Sequence, residues 1–172
     1  MIHNFNAGPS ILPKEVFEAA RNEGFRTTAH AGEEGPASYV KGSIDILKVD
    51  RIDHGNKAMD DLELIQELID RQIPLTLCPL SNIALKNVAK LKDHTLKKKL
   101  DLGLLVSVNS DDPSYFGGYV NENYQAVASE LQLSISDIRK LAENSFVSSF
   151  LPDIEKEFHL KTIKDLYEKV IK

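Results

Sequence analysis

Three short polar clusters carry the side chains of this chain that could do chemistry. His30 and Glu33 lie in the run HAGE, His54 lies in the run DHG, and Asp111 and Asp112 lie in the run SDDP. Imidazole and carboxylate groups are ligands for Zn²⁺, and a carboxylate beside the ion can also move protons. The residue types therefore predict metal-assisted hydrolysis.

Each cluster follows a short apolar run that is typical of a β-strand. These runs occupy residues 25–29, 48–52 and 104–108. Catalytic groups placed after the ends of successive strands are the layout of a β/α-barrel active site. We therefore expect the three clusters to converge on one edge of a parallel sheet.

Strand-like and helix-like segments alternate along the chain, which predicts an α/β fold with about four parallel strands. The alternation predicts strands at 25–29, 49–53, 75–78 and 104–108, helices at 16–23, 36–44 and 59–71, a loop plus a helix over 85–100, and C-terminal helices at 121–131, 135–150 and 153–172. A closed eight-stranded barrel typically needs ~250 residues. At 172 residues the chain is too short for one.

The composition of the chain excludes several classes of function. A net charge of −5 gives no electrostatic attraction to nucleic acid or to an anionic membrane. The one cysteine, Cys78, excludes a disulfide framework and the cysteine-ligated zinc deaminases, and it fits a reducing compartment. No stretch approaches the ~20 apolar residues of a membrane helix. The sequence predicts a cytoplasmic protein that binds neither nucleic acid nor membrane.

Four motifs in one order resemble a known family. HAGEEGP, RIDHG, CPLSN (78–82) and NSDDPSYFGGY (109–119) together resemble the adenosine/adenine deaminases of the amidohydrolase type. CPLSN and the aromatic-Gly-Gly after SDDP favour the adenine deaminase branch. The resemblance runs from about residue 16 to the C-terminus. It implies that the chain is the C-terminal half of a (β/α)8 TIM-type barrel followed by C-terminal helices.

The resemblance also implies roles for the clustered residues. His30 and Asp111 become ligands of one zinc ion, and Glu33 becomes the proton donor to purine N1. His54 becomes the residue that orients and polarises the attacking water. Asp112 becomes a hydrogen-bond acceptor at purine N7. The implied reaction is hydrolytic deamination of a 6-aminopurine to the 6-oxopurine plus ammonia.

Each of these motifs also has a purely structural interpretation. HAGEE could be a solvated acidic loop, His54 a core histidine bonded to a carbonyl group, and Asp-Asp-Pro a simple turn. Cys78 is expected to be buried packing, and Ser81 and Asn82 to shape a pocket wall.

Charged and imidazole groups outside the motifs are predicted at the surface. The run Lys97-Lys98-Lys99, flanked by Asp93 and Asp101, is interpreted as a solvated helix face. His3, His94 and His159 match no motif and are expected to be surface residues.

The sequence lacks the His-x-His pair from which the family takes two further metal ligands. If the chain is part of a deaminase, as the resemblance implies, it is therefore predicted to be inactive on its own. One alternative is a non-catalytic purine-binding or interaction module, and another is a half-barrel subunit completed by a partner. The predicted partners are a small-molecule purine and either a second copy, giving a homo-oligomer, or the missing N-terminal half.

The N-terminus differs from the rest of the chain. Residues 1–13, MIHNFNAGPSILP, resemble the opening of phosphoserine aminotransferases. We interpret residues 1–172 as a single partial metal-dependent hydrolase barrel domain in which 1–15 is an atypical N-terminal segment. The open inner face of the half-barrel is expected to be apolar, lined by Thr28, Ile52, Leu77 and Val106 or their strand neighbours. Either a second copy or the C-terminal helices are expected to cover it.

Overall fold

Four parallel strands form the centre of the structure, a computed structural model that describes residues 13–171. The strands are β1 (Thr28–Ala31), β2 (Arg51–His54), β3 (Leu75–Leu77) and β4 (Val106–Val108). Their order in the sheet is their order in the chain, and each neighbouring pair is parallel. The predicted α/β class and the four parallel strands are confirmed.

Helices connect the strands and continue after the last one. They are α1 (Lys14–Asn22), α2 (Ala37–Asp45), α3 (Leu62–Asp70), α4 (Pro79–Ala84), α5 (Leu96–Asp101), α6 (Pro113–Phe116), α7 (Val120–Glu130), α8 (Ile135–Val147) and α9 (Asp153–Val170), with short 3₁₀ helices at Asn56–Asp60 and Leu91–Asp93. The three predicted C-terminal helices correspond to α7, α8 and α9. The sequence prediction omitted α4 and α6, each of which begins at a proline that presets the helical φ angle.

Local signals in the sequence explain where two of the helices begin. At the start of α3, the Asp61 carboxylate accepts hydrogen bonds from the backbone N–H groups of Glu63 and Leu64. At the start of α8, Ser134 is the N-cap and forms a reciprocal capping box with Asp137. Such caps satisfy backbone donors that the first helical turn leaves without partners.

The two faces of the sheet differ in polarity. Strand register places the apolar residues on one face, where they join the buried core with side chains of α2, α3, α5, α7 and α8: Ala29, Ile52, Leu75, Leu77, Val106 and Val108. The opposite face carries Thr28, His30, Arg51, Asp53, Thr76 and Ser107.

This division overturns the expectation of an apolar inner face. Thr28 pairs in register with Arg51, whereas Ile52 pairs with Leu75, so Thr28 lies opposite to Ile52, Leu77 and Val106. The three apolar residues are fully buried under the helices. Side chains alternate along a strand, so grouping them without a register mixes the two faces.

The end of α8 and the residues after it contact both the sheet edge and the polar face. Asn144 Nδ2 donates a hydrogen bond to the Val106 carbonyl oxygen at 2.8 Å. The Arg51 guanidinium donates to the Ser148 carbonyl oxygen at 3.3 Å and lies 4.6 Å from the centre of the Phe150 ring. The C-terminal region therefore contacts β4 and part of the polar face.

Two residues predicted at the surface are buried. Lys99 is 0% exposed and His94 is 4% exposed. Lys99 lies three residues after Leu96 and one before Leu100, both of which face inward, so the 3.6-residue period turns it toward the core. Lys98 is exposed as predicted, and His159 is half-buried, with its ring stacked on Phe146 at 4.3 Å.

Most of the atypical N-terminal segment, including His3, lies outside the described residues, so the expectations for it stay predictions. Within residues 13–171, no helix is both long and apolar enough to cross a membrane.

Candidate active site

His30, Glu33 and His54 meet where β1 and β2 end. His30 lies in β1, Glu33 follows in the next turn, and His54 is the last residue of β2. The rings of the two histidines lie 4.3 Å apart between centroids and are tilted by 47°. Strand pairing, in which Ala31 is in register with His54, thus brings His54 beside two residues that lie at least 21 positions earlier in the chain.

Glycines with positive φ angles make the sharp turns after β1 and β2 possible. Gly32 has φ +70° and Gly55 has φ +68°, and a Cβ placed on Gly32 would lie 3.5 Å from the Gly55 backbone. The Gly55 N–H donates to the Ala31 carbonyl oxygen at 2.9 Å, which ties the two turns together. His54 itself has φ +71°, a conformation that is uncommon outside glycine and that marks a constrained position.

The Glu33 carboxylate is the centre of this group. Its Oε2 lies 3.0 Å from His30 Nε2, and its Oε1 accepts a hydrogen bond from Asn82 Nδ2 at 2.9 Å. His54 Nδ1 lies 3.5 Å from the same Oε1. Glu33 is 7% exposed, so these partners replace most of the water that a carboxylate would otherwise bind.

The protonation states follow from these contacts. The hydrogen bond that His30 donates to Glu33 raises the pKa of His30 above its ordinary value, against the opposing effect of burial. Burial acts to raise the pKa of Glu33, but the His30 hydrogen bond and the neighbouring histidines outweigh it and lower that pKa. Burial lowers the pKa of His54. These shifts favour the carboxylate form of Glu33, the protonated form of His30 and the neutral form of His54.

Asp111 reaches the same group from the end of β4. The Ser81 hydroxyl donates to Asp111 Oδ2 at 2.7 Å. His54, Cys78 and Asp111 each offer one ligand atom, and these atoms lie within 4.8 Å of one another. Asp111 is exposed and has φ +59°, so its side chain leaves the strand end at a sharp turn.

Asp112 points elsewhere. Its carboxylate accepts a hydrogen bond from the Tyr115 backbone N–H at 3.3 Å and caps α6. The two adjacent aspartates therefore diverge, because Asp111 has φ +59° in the left-handed region and Asp112 has φ −104°. The structure brings four of the five predicted site residues together and leaves Asp112 exposed at the edge of the group.

Two further residues of the motifs have supporting contacts. Asp53 accepts a hydrogen bond from the Thr76 hydroxyl at 3.0 Å and lies 3.5 Å from Arg51 Nε. Cys78 is buried, as expected, and burial raises the pKa of its thiol, which disfavours the thiolate.

The donor atoms of this site are of the kinds that zinc takes as ligands. Two overlapping triplets, His30–Glu33–His54 and His54–Cys78–Asp111, each keep their ligand atoms within 4.8 Å of one another. Within residues 13–171, His54 Nδ1 is buried and makes no hydrogen bond, which leaves a nitrogen lone pair or N–H group facing the site. Nitrogen and oxygen donors at this spacing fit a Zn²⁺ ion. The Cys78 thiol is a poorer ligand here, because burial disfavours the thiolate that would bind zinc.

A buried polar group behind Glu33 was missed by the sequence analysis. Asn82 was expected to line a pocket wall, yet it is 0% exposed and donates directly to Glu33. His94 was expected at the surface, and its Nε2 lies 3.1 Å from Asn82 Oδ1. The inward phase of α5, readable from Leu96 and Leu100, is the signal that could have indicated a buried environment nearby.

Comparison with known proteins places this geometry in a family. Residues 5–166 match the adenosine deaminase family model. The chain belongs to the adenosine deaminase family. Its four motifs therefore predicted the family, and the adenine deaminase branch, from the sequence.

Individual members of the adenosine deaminase family are similar to this chain in sequence and in structure. Adenine deaminase from Sphingopyxis alaskensis is 56% identical over 155 residues, which cover 90% of this chain and 46% of that protein. The crystal structure of adenine deaminase from Arthrobacter aurescens is 46% identical with a TM-score of 0.88, covering 90% of this chain and 47% of that one. The chain thus spans about half the length of these relatives.

A structure with lower sequence identity to this chain contains zinc. An amidohydrolase from Burkholderia ambifaria with bound Zn is 28% identical to this adenosine deaminase family member, with a TM-score of 0.85, over 98% of this chain and 48% of that one. The predicted half of a TIM-type barrel is confirmed by these alignments, and zinc occurs within the fold.

Proposed function

We propose that this chain supplies half of the active site of a zinc-dependent adenine deaminase. The reaction replaces the 6-amino group of a purine with an oxygen atom from water and releases ammonia. The observation that carries the proposal is the Glu33 carboxylate, which is buried between His30, His54 and Asn82 at the carboxyl ends of the strands. As parts of the same proposal, residues 1–172 form one partial barrel domain, and the cytoplasm is its compartment.

His30 and Asp111 would hold the zinc ion. When bound, zinc would lower the pKa of water toward ~7 and so make hydroxide available at neutral pH. His30 can act as a ligand only after it loses the proton that its contact with Glu33 stabilises. Ser81 would orient the Asp111 carboxylate through its 2.7 Å hydrogen bond.

Glu33 and His54 would move and orient protons. With Oε1 held by Asn82, the Glu33 Oε2 atom is the oxygen that can carry a proton to purine N1. Burial keeps His54 neutral, and its Nδ1 atom makes no hydrogen bond in the described structure, so it can accept one from the attacking water. Asp112, exposed after β4, would bind the purine at N7.

The site as described lacks two ligands that the family resemblance implies. No His-x-His pair occurs in the sequence, and a catalytic zinc normally has three protein ligands. We propose that the missing N-terminal half of the barrel completes the site, because a second copy of this chain would bring no His-x-His pair.

The decisive experiment measures zinc binding and adenine turnover separately. The purified 172-residue chain should bind zinc weakly in competition with a chromophoric chelator, and His30→Ala and Asp111→Ala should each weaken that binding. When conversion of adenine to hypoxanthine is followed by ultraviolet absorbance, the chain alone should show little or no turnover. His159→Ala is the matched control, because His159 lies away from the site against Phe146.

Complementation then tests the reaction itself. A chain that carries the first half of a family barrel, including His-x-His, should restore turnover when it is mixed with this chain. Glu33→Gln should lower the restored kcat by about 10²–10⁴-fold. Full activity of the Glu33→Gln complex, or zinc binding that does not change in His30→Ala and Asp111→Ala, would refute the assignment.

A second candidate is a non-catalytic purine-binding module. It is favoured by the lack of His-x-His in a chain that retains Glu33 and Asp112. Equilibrium dialysis that shows adenine binding by this chain, together with no turnover in any complemented mixture, would support this function over deamination.

A further inference from the structure

A buried line of hydrogen bonds leads away from Glu33 on the side opposite to His30. Asn82 Nδ2 donates to Glu33 Oε1 at 2.9 Å, and His94 Nε2 lies 3.1 Å from Asn82 Oδ1. Asn82 and His94 both belong to the buried interior. Asn82 holds Glu33 Oε1 in the proposed chemistry, whereas His94 has no role in it.

The backbone fixes the tautomer of His94. The Leu96 N–H donates to His94 Nδ1 at 3.0 Å, so that nitrogen carries no proton. A neutral ring must then carry its proton on Nε2, which faces Asn82 Oδ1. Burial and the nearby Lys99 keep the ring neutral by lowering the pKa of His94 to about 4. His94 is therefore a donor to Asn82.

A second donor reaches the same oxygen. Asn56 Nδ2 donates to Asn82 Oδ1 at 3.0 Å. The orientation of the Asn56 amide is in turn set by Lys99 Nζ, which lies 3.5 Å from Asn56 Oδ1. Two donors at Asn82 Oδ1 leave its Nδ2 as the only group that can face Glu33, so the direction of the Asn82 amide is determined from both sides.

We propose that His94 is a positioning residue for the proton-transfer carboxyl of Glu33 and acts through Asn82. By holding Asn82 as a donor, it keeps Glu33 Oε1 as an acceptor and confines the transferable proton to Oε2. The inference rests on the proposed function for its effect on turnover, but the direction of the hydrogen bonds can be tested without turnover.

Two substitutions at His94 separate the two ends of its ring. His94→Gln retains a nitrogen donor near the place of Nε2 and loses the acceptor for Leu96. His94→Asn retains an acceptor near the place of Nδ1 and loses the donor to Asn82. Both remove an imidazole from the interior, so a merely structural role predicts similar effects for the two. His159→Gln and His159→Asn are the matched controls at a half-buried histidine away from the site.

Nuclear magnetic resonance of the 172-residue chain provides the first readout. The ¹⁵N shifts of His94 should report the Nε2–H tautomer. The Asn82 side-chain amide protons should exchange slowly with solvent in the wild-type chain and in His94→Gln, and at least tenfold faster in His94→Asn. The Nδ1–H tautomer, or equal Asn82 exchange in both variants, would overturn the proposal.

Kinetics of the complemented deaminase provide the second readout. His94→Asn should lower kcat by about 10–100-fold with little change in KM, and His94→Gln should restore most of that loss. Equal losses in the two variants would mean a structural role and would overturn the proposal.

The two possible failures are distinguishable. If the wild-type mixture shows no deamination, the proposed function is wrong, whereas the tautomer and the Asn82 exchange still decide the positioning role. If His94→Asn does not fold, the tautomer in the wild-type chain and the exchange in His94→Gln still decide it.

Discussion

Replacement of Lys99 by methionine should stabilise the protein at neutral pH. Lys99 is completely buried, and it makes no ion pair within residues 13–171. Its described polar contact is the 3.5 Å approach to Asn56 Oδ1. Burial lowers the pKa of Lys99 from 10.5 to about 7, so the folded state opposes the charged form. Methionine fills a similar unbranched volume and carries no charge.

The size of the effect follows from the two pKa values. The gap between 10.5 in the unfolded chain and about 7 in the folded chain corresponds to about 5 kcal/mol of destabilisation at low pH. Because the unfolded chain binds the proton between those two values, the stability of the wild-type protein rises with pH across this window. The amine therefore destabilises the fold by about 4 kcal/mol at pH 7 and about 2 kcal/mol at pH 9.

Loss of the contact with Asn56 reduces the stability that is gained by Lys99→Met. An amide oxygen left without a donor costs about 1 kcal/mol, independently of pH. Lys99→Met should therefore raise the free energy of unfolding by about 3 kcal/mol at pH 7 and by about 1 kcal/mol at pH 9.

Urea denaturation followed by circular dichroism at both pH values measures this gain. The control is Lys98→Met, because Lys98 is the exposed neighbour on α5 and its replacement should change stability by less than about 0.5 kcal/mol. A loss of stability in Lys99→Met at pH 7, or a gain of the same size at pH 7 and pH 9, would show that the lysine is not desolvated as described.

Three further perturbations have defined outcomes. Burial lowers the pKa of His94 to about 4, whereas in the unfolded chain this histidine binds a proton near pH 6.5. Acidification from pH 7 to pH 5 should therefore lower the free energy of unfolding of the wild-type protein by about 2 kcal/mol more than that of His94→Gln, as measured by urea titration. An equal loss in the two proteins would contradict the buried neutral ring. Asp61→Ala should lower the free energy of unfolding by about 1 kcal/mol because α3 loses its N-cap, and Asp61→Asn should retain most of it; a loss of the same size in both would exclude capping as the cause. Gly55→Ala should lower the thermal midpoint through a loss of about 1–3 kcal/mol, since Gly55 has φ +68° and the new Cβ would lie 2.8 Å from Leu75 Cδ2; an unchanged midpoint would mean that the turn can shift.

The sequence was sufficient to locate the strands and the polar clusters at their ends. Apolar runs bounded by His30, His54 and Asp111 have few interpretations other than buried strands, and parallel pairing then brings their carboxyl ends together. The same reasoning places the family motifs on one edge of the sheet. These parts were predictable because they depend on local pattern and on topology alone.

The buried polar residues behind Glu33 were not predictable in the same way. Lysine and histidine side chains are often exposed, so composition predicts that Lys99 and His94 face water, and CPLSN predicts only a place in a pocket wall for Asn82. Their burial depends on the phase of α5 and on hydrogen bonds between segments that are distant in the chain. The mixed assignment of sheet faces has a related cause, because strand register comes from pairing and not from any one strand.

The hydrogen bond from Asn144 to Val106 has a consequence for how sheets of this chain could join. The Leu105 carbonyl oxygen accepts from β3, so the Val106 carbonyl, one residue later, points to the outer side of β4. An outermost strand with vacant carbonyl groups can template stacking of copies into filaments. The Asn144 amide occupies the Val106 carbonyl oxygen, so a strand that is added there must displace that amide. We therefore expect a strand that extends the sheet beyond β4 to present its own N–H donor at Val106, which restricts the alignments in which it can be added.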